Sequence, residues 1–96
     1  MADLPKSIVI VGRRWFDKAN RNTYHTAQIF VDGEQVEGVG RKYGYGDQYY
    51  WSAFEKLQQL GIVPDWDRNQ TPFTWCEKNG IKLSYTATDV SRKKDL

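Results

Sequence analysis

Arg13-Arg14-Trp15-Phe16, with Lys18 and Arg21 close behind, gathers cations and aromatic rings more densely than any other stretch of this chain. Alternating guanidinium groups and rings suit a phosphate backbone with stacked bases, or a small phosphorylated nucleotide. The competing reading is a strand end whose Trp15 and Phe16 close a core while the arginines stand in water. A second cluster, Arg41-Lys42-Tyr43-Gly44-Tyr45-Gly46-Asp47, runs into Gln48-Tyr49-Tyr50-Trp51. Glycines ahead of a helix let backbone N–H groups approach a ligand, and a helix N-terminus favours anions. Asp47 opposes that use, because as an N-cap it would accept those donors and place a negative charge where a phosphate would sit. The loop has neither the Gly-Lys-Ser/Thr of a P-loop nor a dinucleotide fingerprint. A rigid aromatic loop recognising a protein partner fits it at least as well.

The classical catalytic groups are sparse. His25 is the only histidine, and it falls on the presumed core face of a strand. It would act as a general acid or base only beside a partner such as Asp17, Tyr43 or Asp47. Cys76 is the only cysteine, expected to point inward from a short helix, where a thiol is inert. There is no Ser-His-Asp spacing, no metal-ligand set and no cofactor motif. The pattern favours binding over catalysis, with a small hydrolase or nuclease using His25 as the enzymatic alternative.

These residues must be positioned by short elements. Ile8-Val9-Ile10-Val11 is β-branched throughout and predicts a strand running toward Arg13 and Arg14. Residues 17–22 are polar and turn-like. Tyr24 to Val31 and Glu34 to Val39 flank Asp32-Gly33, the pair that a type I′ hairpin turn prefers. That turn predicts Val31 opposite Glu34, Ile29 opposite Val36, Ala27 opposite Gly38 and His25 opposite Gly40. This face, with Ile29, Val31 and Val36, reads as the core side. Tyr24, Thr26, Gln28 and Phe30 share the other face. Gly38 and Gly40 would leave a shallow patch for an aromatic from the next helix.

Asp47 predicts the N-cap of a helix over Gln48–Leu60, with Tyr50, Ala53, Phe54, Leu57 and Leu60 as its buried stripe. Gly61 marks a left-handed C-cap, and Pro64 bars continuation. Thr71-Pro72 starts a second, short helix that ends at Asn79-Gly80. Ile81, Leu83, Tyr85 and Ala87 then alternate with polar residues as a half-exposed strand does. The expected fold class is α+β: a small antiparallel sheet of about four strands, in the order β-β-β-α-α-β, with two helices on one face. Residues 1–90 form the single domain and 91–96 a basic, frayed tail.

Composition bounds what such a domain does. Ninety-six residues with 40% hydrophobic and 27% charged content make one ordinary globular domain. A net charge of +2 excludes a DNA mimic and denies any bulk electrostatic case for nucleic acid. Aromatic content of 15% is high for so small a core, so some of Tyr43, Tyr45, Tyr49 and Trp51 should be exposed. The apolar run Ile8–Val11 is too short for a signal-peptide core or a membrane span, and a lone cysteine fits a reducing compartment, so the expected location is cytoplasmic, without membrane contact.

Three stretches carry a resemblance: Gly12-Arg13-Arg14-Trp15-Phe16 through Asn22-Thr23-Tyr24-His25, Val31-Asp32-Gly33 to Tyr43-Gly44-Tyr45-Gly46-Asp47-Gln48-Tyr49, and Asn79-Gly80-Ile81 with Asp89-Val90-Ser91-Arg92-Lys93-Lys94. Together they resemble small proteins encoded by bacteriophages and related mobile elements. The likeness covers about two thirds of the chain and brings no established active site. It implies an accessory binder of host machinery, including inhibitors of anti-phage defence, acting in the host cytoplasm. The expected contact surface comprises Arg13, Arg14, Trp15, Arg21, Arg41, Lys42, Tyr43, Tyr45 and Tyr49. Its expected ligand is nucleic acid or a nucleotide, or alternatively a host defence protein, and a homodimer is compatible with the pattern.

Overall fold

The computed structural model describes residues 4–96, so the first three residues of the expected 1–90 domain lie outside the described residues. Strand β1 (Ser7–Asp17) takes up the β-branched run and continues through the whole Arg13–Phe16 cluster. It is followed by β2 (Asn22–Val31), β3 (Glu34–Tyr43), α1 (Gln48–Gln59), α2 (Pro72–Lys78) and β4 (Lys82–Val90). The β2–β3 turn has φ of 51° at Asp32 and 86° at Gly33, the doubly positive geometry of type I′. Asp32 also accepts the Lys6 and Ser7 amides at 2.8 and 3.0 Å, which ties the hairpin tip to the start of β1.

The class is α+β, with the sheet order β3-β2-β1-β4. The antiparallel expectation holds for β1 to β3, whereas β4 joins β1 parallel, so the sheet is mixed. The reason is the long connection after β3. It carries the chain through both helices back to the end where β1 begins, and the Lys82 amide enters the sheet on the Lys6 carbonyl at 2.9 Å. A crossover of that length permits parallel pairing, which a tight turn does not.

The predicted β2–β3 register holds beside the turn and then slips. Val31 opposes Glu34 and Ile29 opposes Val36, but Ala27 opposes Val39 and His25 opposes Lys42. Two single-residue bulges, at Glu37-Gly38 and Gly40-Arg41, account for the shift. At Gly38 the β2 chain passes so close that a side chain would collide with the Ala27 carbonyl. The expected shallow patch is therefore absent, because the first bulge turns Val39 inward to fill it, only 5% exposed.

The buried layer is built from Ile8, Ile10 and Ile29 of the sheet against Ala53, Phe54 and Leu57 of α1, closed by Val63, Trp66, Trp75 and Ile81. Leu60, expected in the α1 stripe, is 42% exposed instead. The helix ends before it, and the chain reverses at Gly61 (φ 78°) so that Ile62 and Val63 fold beneath Leu57. Asp47 precedes α1 but its side chain caps nothing. Its φ of −89° and ψ of 10° already turn the chain, whereas a capping side chain reaches back from an extended residue. Thr71 does cap α2, accepting the Thr74 amide at 3.2 Å ahead of Pro72. No helix among the described residues is long and apolar enough to cross a membrane.

Candidate functional site

Side chains alternate across a strand, so the Arg13–Phe16 cluster divides between the two faces of the sheet. Arg14 and Phe16 point to the helix side, Arg13 and Trp15 to the face that carries no helix. On that open face, Val90, Trp15, Tyr24 and Tyr43 oppose one another in a row across all four strands. Trp15 and Tyr24 are stacked with centroids 6.0 Å apart at 23°, and Tyr43 meets Tyr24 edge-on at 5.9 Å. Tyr43 is 64% exposed. Arg41 stands beside these rings because the second bulge turns it there. Together with Trp15, Asp17, Asn20, Tyr24 and Lys93 it lines a recess of about 270 Å³.

Lys93 reaches this recess from the final segment, which turns back over the open face. It forms a 3-10 turn over Lys93–Asp95. Leu96, half-buried, lies along Val11, Arg13, Thr26 and Gln28 of the open face. Tyr24 is the open-face residue that sequence reasoning left out of the site. The polar turn after Asp17 sets it opposite Trp15, and extending the register through that turn would have found it.

The other expected residues serve different places. Arg14 is engaged inside the protein: its Nε donates to Asp89 Oδ1 at 2.8 Å and its Nη1 to the Gly46 carbonyl at 3.2 Å. It pins the Gly44–Gly46 loop to β4. Tyr45 is 71% exposed on that same side, near Phe16 across a shallow recess of about 430 Å³. Arg21 sits in the β1–β2 turn at φ 56° and lines neither recess. Tyr49, expected on the contact surface, is instead 3% exposed and sealed over Gly12. Gly12 lacks a side chain where a Cβ would lie 2.7 Å from Tyr49 Cγ, so the ring drops onto bare backbone.

His25 occupies the row Asp89–Arg14–His25–Lys42 on the helix side. It is 1% exposed. Its partners are neither Asp17, Tyr43 nor Asp47. Nδ1 lies 3.2 Å from the Gly44 carbonyl and Nε2 2.9 Å from Ser52 Oγ. A carbonyl only accepts, so Nδ1 carries the proton and Nε2 accepts from the Ser52 hydroxyl. Burial pushes the imidazole pKa below 6.5 and Lys42 pushes it the same way, against the Gly44 bond. The serine–histidine pair has the spacing of a nucleophile and its base. Yet Ser52 is itself buried within α1, and the void beside it measures only about 80 Å³. The arrangement holds β2, α1 and the Gly44 loop together.

Among the described residues no group of three or more His, Cys, Asp or Glu side chains is placed to hold a metal ion. No protein-family model matches this chain, and neither does any curated protein or solved structure.

Proposed function

We propose that this protein is a non-enzymatic binder of single-stranded nucleic acid, and that the open face of its sheet is the binding surface. The observation carrying this reading is the ring row Trp15–Tyr24–Tyr43 on three neighbouring strands, flanked by Arg13, Arg41 and Lys93. A base presents a π-face to such a platform whatever its identity, and cations at the rim meet the phosphates between bases. The chain's net charge is too low for bulk attraction, so the attraction is local to this face. A duplex fits it poorly, since paired bases keep their faces covered and the platform needs them bare.

Quenching of tryptophan fluorescence by short single-stranded oligonucleotides at low salt tests the reading. Three cations predict that log K falls with log salt with a slope of about −2. Tyr43→Ala should weaken binding by about 5- to 150-fold, the equivalent of roughly 1–3 kcal/mol for one stacked base, while leaving the unfolding midpoint unchanged. Tyr45→Ala, on the other side, should change nothing. Absence of binding at low salt overturns the proposal. So does a salt-insensitive complex with a host protein that depends on Tyr45, the pattern expected if the aromatic loop recognises a protein.

A further inference from the structure

The two edges of the sheet are treated differently. The β3 edge carries the usual protections against strand pairing: two bulges, the charges of Glu34, Glu37, Arg41 and Lys42, and a brace from α1 through Lys56 and Glu37 at 2.9 Å. The β4 edge carries none of them. From Leu83 to Thr88 it has no charge, no proline and no glycine, and its register with β1 runs unbroken from Lys82 to Val90. The Lys82 amide points to β1, so along the alternating strand the amides and carbonyls of Leu83, Tyr85, Ala87 and Asp89 point outward. Beside this edge, on the helix side, lie Tyr85 and Phe73, 36% and 48% exposed. Tyr85 is held in place by stacking on Tyr50 at 4.3 Å.

We propose that the outer edge of β4 pairs antiparallel with β4 of a second copy of this chain, joining two four-stranded sheets into one of eight strands. The central stretch of the strand, Ser84 to Thr88, is complementary to itself. With Thr86 on the two-fold axis, Tyr85 of each copy covers the small Ala87 of the other, and Ser84 meets Thr88 on the open face. Large-on-small and hydroxyl pairs of this kind are the units that stabilise neighbouring strands. The two-fold sets helix side against helix side, so Phe73 and Tyr85 of both copies share one apolar strip. A net charge of +2 gives the copies little reason to repel each other. The proposal does not depend on the nucleic-acid reading.

Light scattering and hydrogen exchange on the whole chain test it together. The expected result is twice the mass of one chain, with the outward amides of Leu83, Tyr85, Ala87 and Asp89 protected and losing that protection on dilution. Thr86→Lys sets two ammonium groups opposite each other on an exposed position and should yield single chains that remain folded. Ala87→Pro removes an outward amide without breaking a bond to β1, and should do the same. A single-chain mass with fast exchange of those four amides at the highest concentration overturns the proposal, and would leave the edge to a strand of another protein. A dimer that survives both substitutions overturns it equally.

Discussion

Stability in mild acid is a measurement in which one side chain should dominate. His25 is the only histidine, sealed between Ser52 and the Gly44 carbonyl with Lys42 and Arg14 as its neighbours along the row. The folded protein lowers its pKa from 6.5, so below that value the unfolded chain binds a proton that the folded chain resists. Stability is therefore complete above about pH 6.5 and is lost as the pH falls toward the folded-state value. If the buried ring took no proton at all, the loss between pH 7.5 and 5.5 would be about 1.4 kcal/mol, which is the ceiling for one site. The carboxyl groups with lowered values, Asp17 and Glu37, start from 3.8 and 4.5 and act at lower pH. Urea unfolding followed by tryptophan fluorescence across this range reads the slope directly. In His25→Gln the slope should vanish, while stability at pH 7.5 drops by roughly 1–3 kcal/mol for the disrupted buried hydrogen bonds. A wild-type slope equal to that of the variant, or stability that rises in acid, would refute the assignment of a neutral buried imidazole.

Gly12→Ala should destabilise the fold by about 1–3 kcal/mol, because the new methyl group meets the Tyr49 ring; Gly40→Ala, with open space at its Cβ, should cost far less in the same urea titration. Burial raises the Cys76 thiol to about 11, so its labelling by a disulfide reagent at neutral pH should proceed only as fast as the protein opens. Rapid labelling under native conditions would show that the thiol is accessible.

The parts of the fold that could be read from the chain are those whose chemistry is local. Asp32-Gly33 specifies its own turn, Thr71-Pro72 starts a helix, and Gly61 ends one, each without help from distant residues. The direction of β4 was not legible, since an alternating strand looks the same in either orientation. The bulges at Gly38 and Gly40 were hidden for a related reason: a glycine on a strand carries no mark of the face it belongs to. Tyr49 looked like a surface ring because the residue that accommodates it, Gly12, lies far away in sequence. Ser52, the partner of His25, sits within the apolar spacing of α1 and offered no sign of its role. The candidate site was legible in part. Its composition was visible, and its division between two faces follows from strand alternation, but Tyr24 and Lys93 depend on a cross-strand register and on a tail that turns back.

That division has a consequence for how the gene can drift. Arg14 is tied to Asp89 and Gly46, so changes there are constrained by the integrity of the scaffold. Arg13, its neighbour in the chain, is held only by one long bond, from its Nη1 to the Asp95 carbonyl at 3.5 Å, and otherwise faces whatever approaches the other side. Adjacent codons thus serve separate masters, and a one-residue insertion in β1 would exchange their duties. Among descendants of this sequence, Arg14 should stay fixed while Arg13 shifts as the target changes.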